Sequence, residues 1–256
     1  MDDKLLPWPG LIERIRARTP ARVLAGRVGA SYRTATQLKL CQDHAVARDA
    51  VRAELNLDRD LGAEFVRHWD ILAVSTMARS KDEYLHRPDL GRRLDSNAHN
   101  QLTAQCPIQA DLQIVIGDGL SVTAVSAQAP KLLPLLVEKV LEHGWTFGRT
   151  FAVHYCRVGV MNDVGELLRP KVLVLLIGER PGLATAESLS AYMAWQPRAR
   201  HNDSNRNLIS NIHARGLSAD EAASRIIGLA EQMMRRRTSG VELKEATNDD
   251  DDLVIG

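Results

Sequence analysis

The sequence predicts an α/β fold: a helical N-terminal region followed by a Rossmann-like, doubly wound, mostly parallel sheet. Three observations predict it. Residues 171–183, KVLVLLIGERPGL, hold an unbroken apolar run over 172–177 that Gly178 ends sharply, which reads as a central strand buried on both faces. From Asp111 onward, short apolar runs alternate with helical periodicity, the pattern of βαβ units. Before that point the apolar residues fall mostly at helical spacing.

In chain order, residues 1–35 read as an extended basic N-terminal segment. Arg14, Arg16, Arg18, Arg22, Arg27, Arg33 and Lys39 occur with no acidic residue between Glu13 and Asp43, and Pro20, Gly26 and Gly29 interrupt any helix there. With one interleaved aromatic, Tyr32, the segment fits a protein partner with an acidic face better than a nucleic acid. Residues 36–105 read as a helical N-terminal domain. Its first helix starts near Thr36 as N-cap and carries Leu38, Leu40, Ala45, Ala47, Val51 and Leu55. Asp43, His44, Arg48 and Asp49 crowd that helix; with no nucleophile nearby they read as helix-face ion pairs or an interface, not as an acid–base pair. Residues 60–79 are a second candidate helix, and residues 81–109 a polar, loop-rich stretch that contains the domain boundary.

Residues 106–242 read as the α/β domain, with strands at 112–116, 151–158, 172–177 and 189–195. Helices are predicted at 122–143, bent by Pro130 and Pro134, at 161–168, and at 218–236. The last opens with a Ser218–Glu221 capping box and closes with Arg235, Arg236 and Arg237 before Gly240. Residues 202–211 read as an Asn-rich loop, and the acidic tail 243–256 as disordered.

Composition sets the outer limits. A chain of 256 residues, 45% apolar and 25% charged, buries one large or two modest cores. A net charge of +1 exerts no global pull toward nucleic acid or membrane. Cys41, Cys106 and Cys156 form no C-x-x-C pair, which fits reduced thiols better than a disulfide framework or a zinc site. The N-terminus MDDKLLPWPG lacks a basic n-region, and no apolar run approaches the ~18 residues of a membrane span. These features predict a soluble cytoplasmic protein.

The loop after Ile177 lies where a doubly wound sheet binds its ligand, outside the carboxyl ends of the strands. Gly178 and Gly182 would let the backbone approach a bound group, with Glu179 and Arg180 as polar contacts; a structural strand-to-turn corner is the alternative. Other motifs carry less. Gly117-Asp118-Gly119 follows a strand, yet Val122 stands where a dinucleotide fingerprint needs its third glycine. Ser121 lacks the second glycine of a nucleophile elbow. Asn211-Ile212-His213-Ala214-Arg215-Gly216 nearly matches the D-x-H-x-x-G signature of cobalt-ligating histidines, but Asn replaces the orienting Asp and the motif comes late in the domain, so His213 is not read as a metal ligand. No catalytic residue and no metal ligand is assigned.

Several strings occur together and in order: Asp43-His44-Ala45 with Arg48-Asp49-Ala50-Val51, Asp111-Leu112-Gln113-Ile114-Val115, Tyr155-Cys156-Arg157-Val158, Gly165-Glu166, Gly178-Glu179-Arg180-Pro181-Gly182-Leu183 with Glu187-Ser188-Leu189-Ser190-Ala191-Tyr192, and Ile209-Ser210-Asn211-Ile212-His213. In these the chain resembles the small (light) subunit of ethanolamine ammonia-lyase, from Pro20 to Gly240. The resemblance implies a subunit of an adenosylcobalamin-dependent lyase that converts ethanolamine to acetaldehyde and ammonia by a radical mechanism. It implies a hetero-oligomer in which a TIM-barrel large subunit carries the substrate site and the catalytic residues, while the small subunit covers the barrel mouth and shares the corrinoid. It implies corrinoid contacts at Val158, at Glu179 and at Leu208, where some relatives are expected to carry Cys. Val158 and Glu179 are expected at the ends of neighbouring strands. In such a family the cofactor's own dimethylbenzimidazole is the lower ligand, in line with the reading of His213. Ethanolamine catabolism, in the cytoplasm or within a bacterial microcompartment, is the implied setting, with no nucleic acid and no membrane as partner. A stand-alone α/β module for a nucleotide or corrinoid is the alternative function, and a structural assembly protein a third.

Overall fold

The computed structural model describes residues 9–18, 26–181 and 185–243. Pro20 and Arg22 of the basic segment, Gly182 and Leu183 of the turn after the central strand, and the acidic tail from residue 244 lie outside the described residues.

Helix α1 (Pro9–Arg18) and a small hairpin of β1 (Arg27–Val28) and β2 (Ser31–Tyr32) lead into α2 (Thr34–Arg52). Helix α2 begins at Thr34, not with Thr36 as its cap, and Arg33 in the cap position makes no side-chain capping bond. None of its residues is buried. Asp43 forms an i,i+4 ion pair on its surface with Lys39, at 3.6 Å.

The main sheet has six strands in the order β3 (Leu72–Ser75), β5 (Phe151–His154), β4 (Leu112–Gly117), β6 (Val172–Gly178), β7 (Leu189–Trp195) and β8 (Asn207–Ile212). The first four are mutually parallel; β7 and β8 add on antiparallel. Every residue of β4 and β6 is buried, which is why both read as continuous apolar runs without alternation. Leu112, Ile114, Ile116, Val172, Val174 and Leu176 face α6 (Val122–Glu142) and α8 (Ala219–Arg236) on one side. Val115, Phe151, Val153, Leu173, Leu175 and Ile177 face α5 (Ser96–Gln105) and α7 (Val160–Leu168) on the other. The sheet is thus doubly wound, as its sequence predicts. Pro130 and Pro134 lie inside α6, and the helix continues through both. Its Leu132, Leu133 and Leu136 are wholly buried, each worth about 1.5–3 kcal/mol of removed apolar surface, which offsets what the prolines cost the helix.

Four local expectations need correction. Residues 60–79 are not one helix: a single π-helical turn (Asp58–Gly62) and the short α3 (Ala63–His68) give way to β3. Positive φ at Gly62 (93°) and Asp70 (48°) breaks the helix, and a short apolar run such as 71–74 cannot be assigned by periodicity alone. Residues 81–109 are not mainly loop. They hold α4 (Lys81–His86), capped by Ser80, and α5, capped by Asp95 whose carboxylate accepts from Ala98 N at 2.7 Å. The strand expected over 151–158 ends at His154, because Tyr155 turns to φ 56°. The Asn-rich stretch 202–211 contains most of the edge strand β8; Ser210 and Asn211 are exposed, Asn207 is half-buried and bonded to Gly240 and Leu243, and Ile209 and Ile212 are buried.

Candidate functional site

The carboxyl ends of β4, β5 and β6 open into a cavity of about 300 Å³. Gly119 and Leu120 after β4, Arg157 and Val158 after β5, and Gly178 to Arg180 at the end of β6 form its walls, with Ser190 and Tyr192 of β7 and Leu208 and Ser210 of β8. Val158, Glu179 and Leu208, far apart in sequence, therefore line one recess. Val158 and Glu179 do not follow neighbouring strands, however: β4 lies between β5 and β6. The crossover that carries the chain from β5 to β6 passes over β4, and so the loop after β4 forms part of the wall.

The segment carrying Val158 is held from below by a buried charge. Asp118, in the turn after β4, accepts hydrogen bonds from Cys156 N (2.8 Å) and Tyr155 N (3.0 Å), turning the chain at the end of β5. Lys81, the first residue of α4, faces this carboxylate and also donates to Gly119 O at 3.1 Å. Tyr84 donates its hydroxyl to Cys156 O at 3.0 Å, and the guanidinium of Arg157 stacks over the Tyr84 ring at 4.2 Å. Burial first, then the Asp118 charge, pushes the Tyr84 phenol far above its ordinary value, so it remains a donor. The same two causes push the Cys156 thiol up, which makes it a buried structural thiol. Arg157 N donates to Gly91 O at 2.8 Å, and a side chain at Gly91 would come within 2.8 Å of Tyr155 O.

Glu179 stands where β6 leaves the sheet. Its carboxylate accepts from Ser188 Oγ (2.7 Å), Ser190 Oγ (2.5 Å) and Asn211 N (3.2 Å), while its own N–H donates to Ser188 O at 3.0 Å. The carboxylate thus ties β6 to β7 and β8 and still borders the cavity. The freedom expected of Gly178 for approach to a ligand serves another contact: a Cβ there would collide with the Ser121 carbonyl of the β4–α6 turn. Gly119, at φ 56°, packs against Gly178 O from the other side. Leu208 is 47% exposed and offers an apolar side chain at the cavity's outer edge.

Sequence reasoning passed over Lys81, Asp118 and Arg157. Asp118 and Arg157 stood within quoted strings, but buried partners 37 residues or more away in the chain carry no local signal. His213 lies apart, in a recess with Asp49 and Glu187, and its Nδ1 accepts from Arg215 N at 3.3 Å. Among the described residues, no group of three or more His, Cys, Asp or Glu side chains is placed to hold a metal ion. Among the same residues, no helix is long and apolar enough to cross a membrane.

A doubly wound sheet whose loops converge on one mixed apolar and polar recess at the carboxyl ends of its parallel strands defines a ligand-binding α/β protein. The comparison with known families is more specific: the chain belongs to the ethanolamine ammonia-lyase light chain (EutC) family, whose model matches residues 10–244. It is 40% identical over 233 residues to the ethanolamine ammonia-lyase small subunit of Clostridium acetobutylicum, covering 91% of this chain and 94% of that one. Identity to the small subunit of Clostridium perfringens is 41% over 230 residues, covering 90% and 76% of the two chains. The small subunit of Listeria monocytogenes serotype 4a is 39% identical over 243 residues, with 94% and 81% covered.

Proposed function

We propose that the chain is the small subunit of an adenosylcobalamin-dependent ethanolamine ammonia-lyase, which converts ethanolamine to acetaldehyde and ammonia. Its relatives bear the name of that lyase's small subunit, and a small subunit implies a hetero-oligomer with a large one. In this reading the large subunit is a TIM barrel with the substrate site, and the present chain contributes no catalytic residue. It works in the cytoplasm or within a bacterial microcompartment.

The observation that carries the reading is the convergence of Val158, Glu179 and Leu208 on one cavity, although each was assigned from a separate string. The residues present fit a corrinoid. Val158, Ile177 and Leu208 offer apolar surface to a macrocycle, while Glu179, Ser210 and the main chain beside Gly178 offer acceptors and donors to its amide arms. A volume of about 300 Å³ takes only part of such a molecule, so the cofactor extends beyond this cavity, as one shared with another chain would. When bound, adenosylcobalamin supplies the radical chemistry through its cobalt–carbon bond. This chain's residues hold and orient one side of it and exclude water there.

Co-expression with the large subunit, followed by an ethanolamine deamination assay with and without adenosylcobalamin, tests the proposal. Activity is expected only when both subunits and the cofactor are present. Turnover by the purified chain alone, or cofactor-independent turnover by the complex, overturns it.

A further inference from the structure

A second, larger cavity of about 770 Å³ adjoins the first and shares Arg157, Val158 and Tyr192 with it. Four arginines line this cavity, Arg92, Arg93, Arg157 and Arg206, against two carboxylates, Asp163 and Asp203. The carboxylates are committed elsewhere in part. Asp163 accepts from Leu94 N at 3.0 Å, and Asp203 is an exposed side chain that pairs with one terminal nitrogen of Arg206. Arg92, Arg93 and Arg157 have no ion pair among the described residues. The cavity therefore carries surplus positive charge.

It also carries unmet hydrogen-bonding capacity. Arg157 Nε, Arg206 Nε and His201 Nδ1 are buried without a partner. A guanidinium nitrogen can only donate, so the Nε of each arginine lacks an acceptor. The Arg206 side chain is only 5% exposed and is fixed by Asp203 and by Asn162 Oδ1 at 2.9 Å. Arg157 is fixed by the Tyr84 ring and by Tyr84 O at 3.3 Å. Both donors are thus preorganised, and buried polar groups left unmatched in this way call for an explanation. The His201 imidazole records the same field: burial first, then Arg206 and Arg198, pushes it below its ordinary value.

We propose that this cavity is an oxyanion site for a phosphodiester, with Arg157 and Arg206 as its donors, and that the phosphodiester is that of the nucleotide arm of the corrinoid whose ring meets Val158, Glu179 and Leu208. The inference rests on the proposed function. Planar guanidinium forks match phosphate oxygens better than single cations do. The shared wall at Arg157 and Val158 gives one molecule access to both cavities, and Leu94, Met77 and Tyr192 supply apolar surface for a sugar and base.

The test uses the full chain in complex with its large subunit and two probes: cyanocobalamin, and dicyanocobinamide, which lacks the nucleotide arm. Affinities are read by equilibrium dialysis. Arg206→Gln is expected to weaken cyanocobalamin binding by roughly 10- to 100-fold and to leave cobinamide binding unchanged, the latter also showing that the site has folded; Arg157→Gln, whose residue also walls the first cavity, is expected to weaken cyanocobalamin binding more than cobinamide binding. Equal losses for both probes, or no loss for cyanocobalamin, overturn the inference while the proposed function stands. A wild-type complex that binds neither probe overturns both.

Discussion

Lys81 Nζ stands 3.5 Å from Asp118 Oδ2, and the two side chains are 6% and 1% exposed. This buried pair joins α4 to the turn after β4. Through the Asp118 contacts to Tyr155 N and Cys156 N it also sets the direction in which Arg157 and Val158 leave β5. A charge pair taken out of water recovers its desolvation cost only when its remaining lone pairs and protons are satisfied. Here they are: two amides complete Asp118, and Gly119 O with the Tyr84 ring at 4.8 Å completes Lys81.

Asp118→Asn is therefore expected to be severely destabilising. Either orientation of the amide sets an NH₂ against one of the two backbone donors, and Lys81 is left as a buried cation without its counter-charge. Removing one member of a buried pair costs about 3–5 kcal/mol. Urea unfolding of both proteins measures it; a loss below about 1 kcal/mol, the scale of an exposed pair, would show that solvent reaches the site.

Stability should also fall in acid through Asp111. Burial alone would raise its carboxyl, but Lys171 Nζ at 2.6 Å and Thr146 N and Oγ1 at 2.7 and 2.8 Å outweigh burial and hold it below its ordinary value of 3.8. A carboxyl with a depressed folded value stabilises above the unfolded value, and that stability is lost as pH falls through the folded one. The stability gap between wild type and Asp111→Asn is thus expected to be constant above about pH 5 and to shrink below pH 3.8, measured as urea midpoints over that range. A gap unchanged in acid would assign the effect to packing.

The central strand and the helices α6, α7 and α8 were legible because each is local: a run of apolar residues at 172–177, a Ser218–Glu221 cap. Strand β3 was not, since its four residues owe their conformation to pairing with β5, 79 positions away from Leu72 to Phe151. Strand β8 was hidden by its own edge position, where the exposed Ser210 and Asn211, and an Asn207 bonded to Gly240 and Leu243 far along the chain, look locally like a loop. The Lys81–Asp118 pair and the arginine-lined cavity arise from the same cause: their members come from separate segments and are ordinary residues in each.

Gly178→Ala should fail for a steric reason. The added methyl would collide with the Ser121 carbonyl, backbone at the mouth of α6 that cannot rotate away as a side chain could. The cost is expected to reach or exceed the ~1–3 kcal/mol of ordinary overpacking. Thermal unfolding checks it, and a variant with wild-type melting temperature would mean that the β4–α6 turn is free to move.

Glu179 has two roles that one substitution confuses and two can separate. Its carboxylate is bonded within the fold by Ser188, Ser190 and Asn211, yet it borders the cavity assigned to the corrinoid. Glu179→Ala removes all three bonds as well as the charge, so both the melting temperature and the cofactor affinity are expected to fall. Glu179→Gln is different. Its oxygen can still accept from Asn211 N, and the serine hydroxyls can rotate to accept from its NH₂. The strand junction then survives while the negative charge and two acceptor sites are lost. For Gln, the melting temperature of the complex should stay near wild type, and the apparent adenosylcobalamin constant should rise roughly 10-fold, the loss of one charged hydrogen bond. The ethanolamine constant at saturating cofactor should not move, because the proposed contact is to the cofactor and not to the substrate. If the Gln variant keeps the wild-type cofactor constant while Ala loses stability, Glu179 serves only to tie β6 to β7 and β8.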